Sequence, residues 1–332
     1  MDDAERNWLA RTAEEPLEPE LAICDPHHHL WDFPTDRYLL DELRGDTGAG
    51  HNVVSTVFVE CTSAYRSRGP EELRPVGETE FVAAAAAESE RRAGAEIKGI
   101  VSFADLSLGE AVRPVLEAHV EAGQGRFRGI RHATAWDRGP GVRVAHTAPP
   151  PGLMGEPGFQ EGVAELGRLG LSFDAWLYHP QLVELANLAR VCPDVRIVLD
   201  HLGAPLGLGP YAGHRDEVLA AWRSGMEAVA ACPNVVLKVG GIGLPLYGFE
   251  WHKNDKPPTS EELAVTWGPE IRWCIELFGP ERAMFESNFP VDRKSTSYVV
   301  LWNAFKRIAA GASPAEKADL FHDSAARAYR LK

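Results

Sequence analysis

Residues 24–33 read CDPHHHLWDF and hold three of the chain's 12 histidines. In a strand, alternate side chains share a face. Asp25, His27 and His29 are therefore expected together, with His28 opposite. Two imidazoles on one face can ligate a metal ion or polarise a carbonyl, and burying them beside an aspartate without such a role is costly. Other polar residues close or interrupt apolar runs: Glu60, Arg131, His132, His179, Asp200, His201, Lys238, Glu286 and Asn288, with Asp292 just beyond Pro290. Each alone has an ordinary explanation. Lys238 and Glu286 could form an interior ion pair, and Asp200 could hold a helix N-terminus. Their recurrence at the ends of successive runs is the stronger signal.

Eight short apolar runs must position these groups: 21–31, 53–61, 96–103, 126–133, 171–179, 195–203, 234–241 and 282–289. Several are apolar nearly throughout, as parallel strands buried on both faces are. Helical patterns lie between them. The last, SPAEKADLFHDSAARAYRL, opens with Ser313, Pro314 and Glu316, a capping box. Strands alternating with helices argue for an α/β fold, a distorted (β/α)8 TIM barrel. A doubly wound open sheet is the runner-up, but neither nucleotide-binding glycine fingerprint occurs. The expected organisation is an acidic extension over 1–20 and one barrel over 21–332. Long connections at 32–52, 134–156 and 241–268 each follow a strand, so they belong on the C-terminal, catalytic face.

The chain has 332 residues and a formal charge of -14, with no long basic run. That argues against nucleic acid or an anionic membrane as partner. Five cysteines without a C-x-x-C pair suggest reduced thiols, and the acidic start lacks the apolar core of a signal peptide. No apolar run approaches the ~18 residues of a membrane span. These features point to a cytoplasmic protein.

DPHHHLWD, FRGIRHA, LDHLGAP, NVVLKVGG and MFESNFPVD resemble the amidohydrolase superfamily. They are most similar to the amidohydrolase-2 branch of sugar lactonases and 2-pyrone-4,6-dicarboxylate lactonase. The resemblance runs from about residue 22 to the C-terminal FHDSAARAYRL. It implies a site made from His27, His29, His179, His201 and an acid after strand eight. In metal-using relatives such groups hold Zn²⁺ or Mn²⁺. In metal-free lactonases the histidines polarise the carbonyl and the acid activates water. The resemblance also favours a homodimer.

This chain departs from the branch at strand eight, where Asn288 stands in place of the usual aspartate. An amide is neither basic at neutral pH nor a strong metal ligand. Strand four offers Arg131 instead of a lysine, so a two-metal site is not expected. One Zn²⁺ or Mn²⁺ on His27, His29 and His179 or His201 is one expectation, and a metal-free site is the other. Asp292 is the first choice of base, followed by Glu286 and His201. Arg131, His132, Glu60, Lys238, Tyr247, Trp251 and His252 are the expected substrate-binding groups, with Lys253, Trp136 and Tyr65 beside them. Their mixture of basic and aromatic character suggests an anionic ring as substrate. The expected activity is hydrolysis of a small cyclic ester. The alternatives are a metal-dependent decarboxylase, cyclase or dehydratase, and a barrel that only binds a ligand.

Overall fold

The computed structural model describes residues 3–332. Eight parallel strands follow one another in sequence order: β1 Ile23–His28, β2 Val53–Val59, β3 Glu96–Ser102, β4 Phe127–Arg131, β5 Ser172–Ala175, β6 Arg196–Leu199, β7 Val235–Lys238 and β8 Ala283–Met284. Helices lie between them, so the chain is a (β/α)8 barrel, as its alternating pattern predicts. The distortion sits at the closing seam. β8 pairs with β7 for only two residues. The chain beyond it meets β1 through a bridge between His28 and Phe289 and the bond from His29 N–H to the Phe289 carbonyl, 2.8 Å.

Asp25 strengthens that seam. It is fully buried and accepts from Ser287 N–H (3.0 Å), Ser287 Oγ (2.6 Å) and Tyr298 OH (3.0 Å). The expectation that it shares a face with His27 and His29 needs correcting. The pairing of β1 with β2 shifts register between Asp25 and His28, and such a bulge breaks the two-residue alternation.

The connections are more ordered than their composition suggests. Residues 32–52 include part of a hairpin, Trp31–Phe33 with Asp36–Tyr38, and a helix, Leu40–Thr47. The third connection ends early, because a helix runs over Ser260–Phe278 behind a Thr259 cap. The Ser313 capping box forms as expected. Residues of the N-terminal segment lie across the seventh loop and the last helices. Trp8 donates to the Asn254 carbonyl, Thr12 to that of Pro257, and Asn303 accepts from Leu17 N–H.

The larger core fills the space between sheet and helices. A smaller one lies inside the barrel, where Cys24, Val57, Val59, Val101, Val198, Val236 and Met284 pack with Ala325, Ala328 and Tyr329. All five cysteines are free thiols. No helix among the described residues is long and apolar enough to cross a membrane.

Candidate active site

Above this apolar floor, the inward position of each strand from β4 to β7 carries a charge: Arg131, Asp174, Asp200 in the turn after β6, and Lys238. Glu286 follows β8, and His27 on β1 completes the group. All are buried. Lys238 Nζ lies 3.0 Å from both Asp174 and Asp200. Burial disfavours its charge, but those two carboxylates raise its pKa above the ordinary value. Asp174 also accepts from Tyr329 OH, 2.5 Å. Arg131 bonds Glu60 through Nε at 2.8 Å and reaches towards Asp200 at 3.7 Å. Burial raises the Glu60 pKa, yet Arg131 and His146 overcome this and hold it at about 2. Four carboxylates thus face two permanent cations.

Glu286 is the hub. One oxygen accepts from His201 Nδ1 at 2.7 Å and from His201 N–H at 3.1 Å. The other lies 2.8 Å from His27 Nδ1. Burial pushes this carboxyl up, but the two imidazoles hold it down at about 2. Burial, then the Lys238 charge, lowers the His27 pKa. His27 Nε2 lies 3.3 Å from Arg131 Nη1.

The local backbone explains how His201 gets there. His201, Leu202, Gly203 and Ala204 all have positive φ, a left-handed turn that side chains other than glycine adopt at a cost. Tyr247 OH secures it by donating to the His201 carbonyl at 2.9 Å. Two glycines after β7 make the room. A Cβ on Gly240 would lie 2.4 Å from Glu286 Cγ, and one on Gly241 would lie 2.5 Å from His201 Nδ1.

A second line of contacts runs across the seam. His29 Nδ1 donates to the Val59 carbonyl at 2.8 Å, and its Nε2 lies 3.3 Å from Asn288 Oδ1. Asn288 also has positive φ, which asparagine tolerates. Its amide donates to Asp292 Oδ1 at 2.8 Å, and Gly243 N–H donates to Asp292 Oδ2 at 2.8 Å. Burial pushes Asp292 up to about 7. Trp31 stacks on His29, and Trp176 packs edge-on against His201.

His27, His29, His201, Arg131, Glu60, Lys238, Glu286, Asn288 and Asp292 are thus brought together. Other expected site residues lie elsewhere. His132 points outward between the rings of Phe103 and Phe159 and accepts from Leu106 N–H, because its neighbour Arg131 takes the inward position. His179 stands at the start of the turn His179–Gln181, accepts from Leu206 N–H at 3.3 Å and packs on Tyr211. Tyr247 is buried against Trp267 and serves the His201 turn. Trp251 stacks on Phe249, and His252 is exposed.

Sequence reasoning missed Asp174, Tyr329, His146 and Trp176. His146 is the outermost of these groups. Its side chain is 33% exposed, and its Nε2 lies 3.2 Å from Glu60. An aspartate within the apolar run SFDAWLYH was the available signal for Asp174.

The amidohydrolase family model matches residues 24–331. The chain belongs to the amidohydrolase family. Within it, the chain is 33% identical over 326 residues to the uncharacterized protein y4mH of Sinorhizobium fredii, covering 94% of this chain and 99% of that one. It is 25% identical over 323 residues to an L-fucono-1,5-lactonase of Burkholderia multivorans, covering 92% and 95%. A crystal structure of a B. multivorans amidohydrolase with bound zinc superposes with a TM-score of 0.72 at 24% identity, over 94% of this chain and 100% of that one. This last likeness concerns the fold.

One metal set is present among the described residues of this amidohydrolase. His27, His201 and Glu286 bring one ligand atom each within 4.8 Å of one another, a group that could hold a divalent ion. The donor types suit zinc. The surroundings fit it poorly. One Glu286 oxygen already accepts twice from His201, and Lys238 and Arg131 lie 3.1 and 3.3 Å from the two nitrogens of His27.

Proposed function

We propose that this amidohydrolase hydrolyses a small cyclic ester, a lactone, with His201 as general base. The contact of Glu286 with His201 Nδ1 carries this reading. A carboxylate holding Nδ1–H leaves Nε2 with its lone pair, the arrangement that lets an imidazole take a proton from water. Asp292, expected as the base, touches Asn288 and Gly243 and acts from behind as support. Arg131, near His27, supplies positive charge where the carbonyl oxygen becomes an oxyanion.

The charges favour a neutral ring over the anionic one expected. Glu60 engages Arg131, and Asp174 and Asp200 engage Lys238, so the site already holds more carboxylates than cations and a substrate carboxylate would add to the excess. The lactonase relative agrees with such a substrate. The lyase alternative loses support because an amide stands at 288.

A second reading keeps one divalent ion on His27, His201 and Glu286. Its support is their convergence and the excess of carboxylates, which an ion would balance.

The test is titration of released acid when the purified protein meets neutral 1,5- and 1,4-lactones, with His201→Asn as control. Turnover that His201→Asn abolishes supports the reading. Wild-type protein that opens none of them overturns it.

A further inference from the structure

One long loop is built onto the site and has no part in the mechanism above. The connection over 134–156 doubles back on the chain that leaves β4. Ala145 N–H donates to the Ala135 carbonyl at 2.8 Å, and Thr147 Oγ1 donates to the Ala133 carbonyl at 2.5 Å. Those two bonds bracket His146 and hold its ring against Glu60, with Nε2 lying 3.2 Å from Oε2. Glu60 is fully buried, and its Oε2 has no other polar partner among the described residues. Glu60 in turn grips Arg131 twice. Its Oε1 accepts from Nε at 2.8 Å and its backbone carbonyl from Nη2 at 2.5 Å. Two such bonds fix the plane of a guanidinium. The corner left over, Nη1, lies 3.3 Å from His27 Nε2. A line of contacts therefore runs from the rim, through Glu60 and Arg131, to His27.

We propose that His146 is a positioning residue, which holds the outer oxygen of Glu60 and so keeps Arg131 Nη1 aimed at the reacting carbonyl beside His27. A buried carboxylate oxygen without a donor draws towards the nearest cation, since burial strips it of hydration. Without the His146 ring, Glu60 would swing Oε2 onto Arg131 and turn the guanidinium with it. The oxyanion would then meet a misplaced charge, and only the transition state would suffer. This inference rests on the lactone reading, in which Arg131 serves the oxyanion.

The test compares wild type with two variants. His146→Leu keeps bulk at the rim and removes the donor, whereas the amide of His146→Gln can still donate to Glu60. On the best lactone, kcat should fall about 10- to 100-fold in His146→Leu with KM within about twofold, and His146→Gln should stay within about threefold of wild type. In a Glu60→Gln background, His146→Leu should cost nothing further. A readout without substrate accompanies these. Exchange of the Arg131 Nε–H with water, followed by NMR and assigned through Arg131→Lys, should quicken about tenfold in His146→Leu and not in His146→Gln. Unchanged exchange in a folded His146→Leu protein, a rise in KM with kcat intact, or losses that add in the Glu60→Gln background would overturn the positioning role. Faster exchange in a protein that opens no lactone sinks the lactone reading and leaves the positioning of Arg131 standing. Turnover with unchanged exchange does the reverse.

Discussion

Glu286 and His201 meet twice, the carboxylate accepting from both the ring Nδ1 and the backbone N–H of the same residue. This double contact fixes the ring's tautomer and its place together. Glu286→Gln should therefore lower kcat about 10²- to 10⁴-fold with little change in KM, the range of a general base that has lost its partner. An unchanged kcat on the best lactone would remove His201 from the base role.

Lys238 should matter first for stability. Lys238→Met leaves Asp174 and Asp200 buried without their cation, and breaking a buried pair this way costs about 3–5 kcal/mol. Urea unfolding would measure it. A loss below 1 kcal/mol would mean that those carboxylates are protonated or wet.

Asp292 offers a test through pH. Its folded pKa of about 7 lies above the ordinary 3.8. A raised carboxyl adds stability at low pH, and that contribution fades as pH climbs through the folded value. Asp292→Asn cannot titrate, so its deficit against wild type should narrow by about 2 kcal/mol between pH 5 and pH 8. A constant deficit would show an ordinary, ionised aspartate.

Gly241 should tolerate no side chain. The methyl of Gly241→Ala would land on His201 Nδ1 and displace it from Glu286. Turnover should fall about 100-fold, the usual result of moving a catalytic group by 1 Å. Wild-type activity in a folded alanine variant would show that the turn can shift without harm.

Chelation separates the two chemical readings. With one Glu286 oxygen held by His201 and two cations beside His27, dialysis against a chelator should leave kcat within about twofold, given that a metal supplying the nucleophile would be indispensable. Elemental analysis showing one ion per chain, with activity lost on its removal and restored by Zn²⁺, would make His27, His201 and Glu286 its ligands.

Much of this was legible in the sequence, for one physical reason. A charged residue at the C-terminal end of an apolar parallel strand stands at the barrel's catalytic mouth, so Arg131, Lys238 and Glu286 announced themselves. His27 and His29 did so by their spacing. Periodicity failed where the backbone leaves regular form. The bulge in β1 turned Asp25 to the seam. β5 ends at Ala175, so its inward charge is Asp174 and not the more conspicuous His179. Loop residues such as Trp251, His252 and His146 have no period to place them. Tyr329 could not be foreseen, because no local pattern says that a residue near the C-terminus reaches β5.

That reach ties function to the order of synthesis. The charged layer begins at His27, yet its lower edge is completed by the Tyr329 hydroxyl on Asp174 and the Tyr329 ring beneath Lys238. A chain that has made every strand still lacks that hydroxyl and that ring, so Asp174 is short of one donor and Lys238 of one wall until the last helix docks.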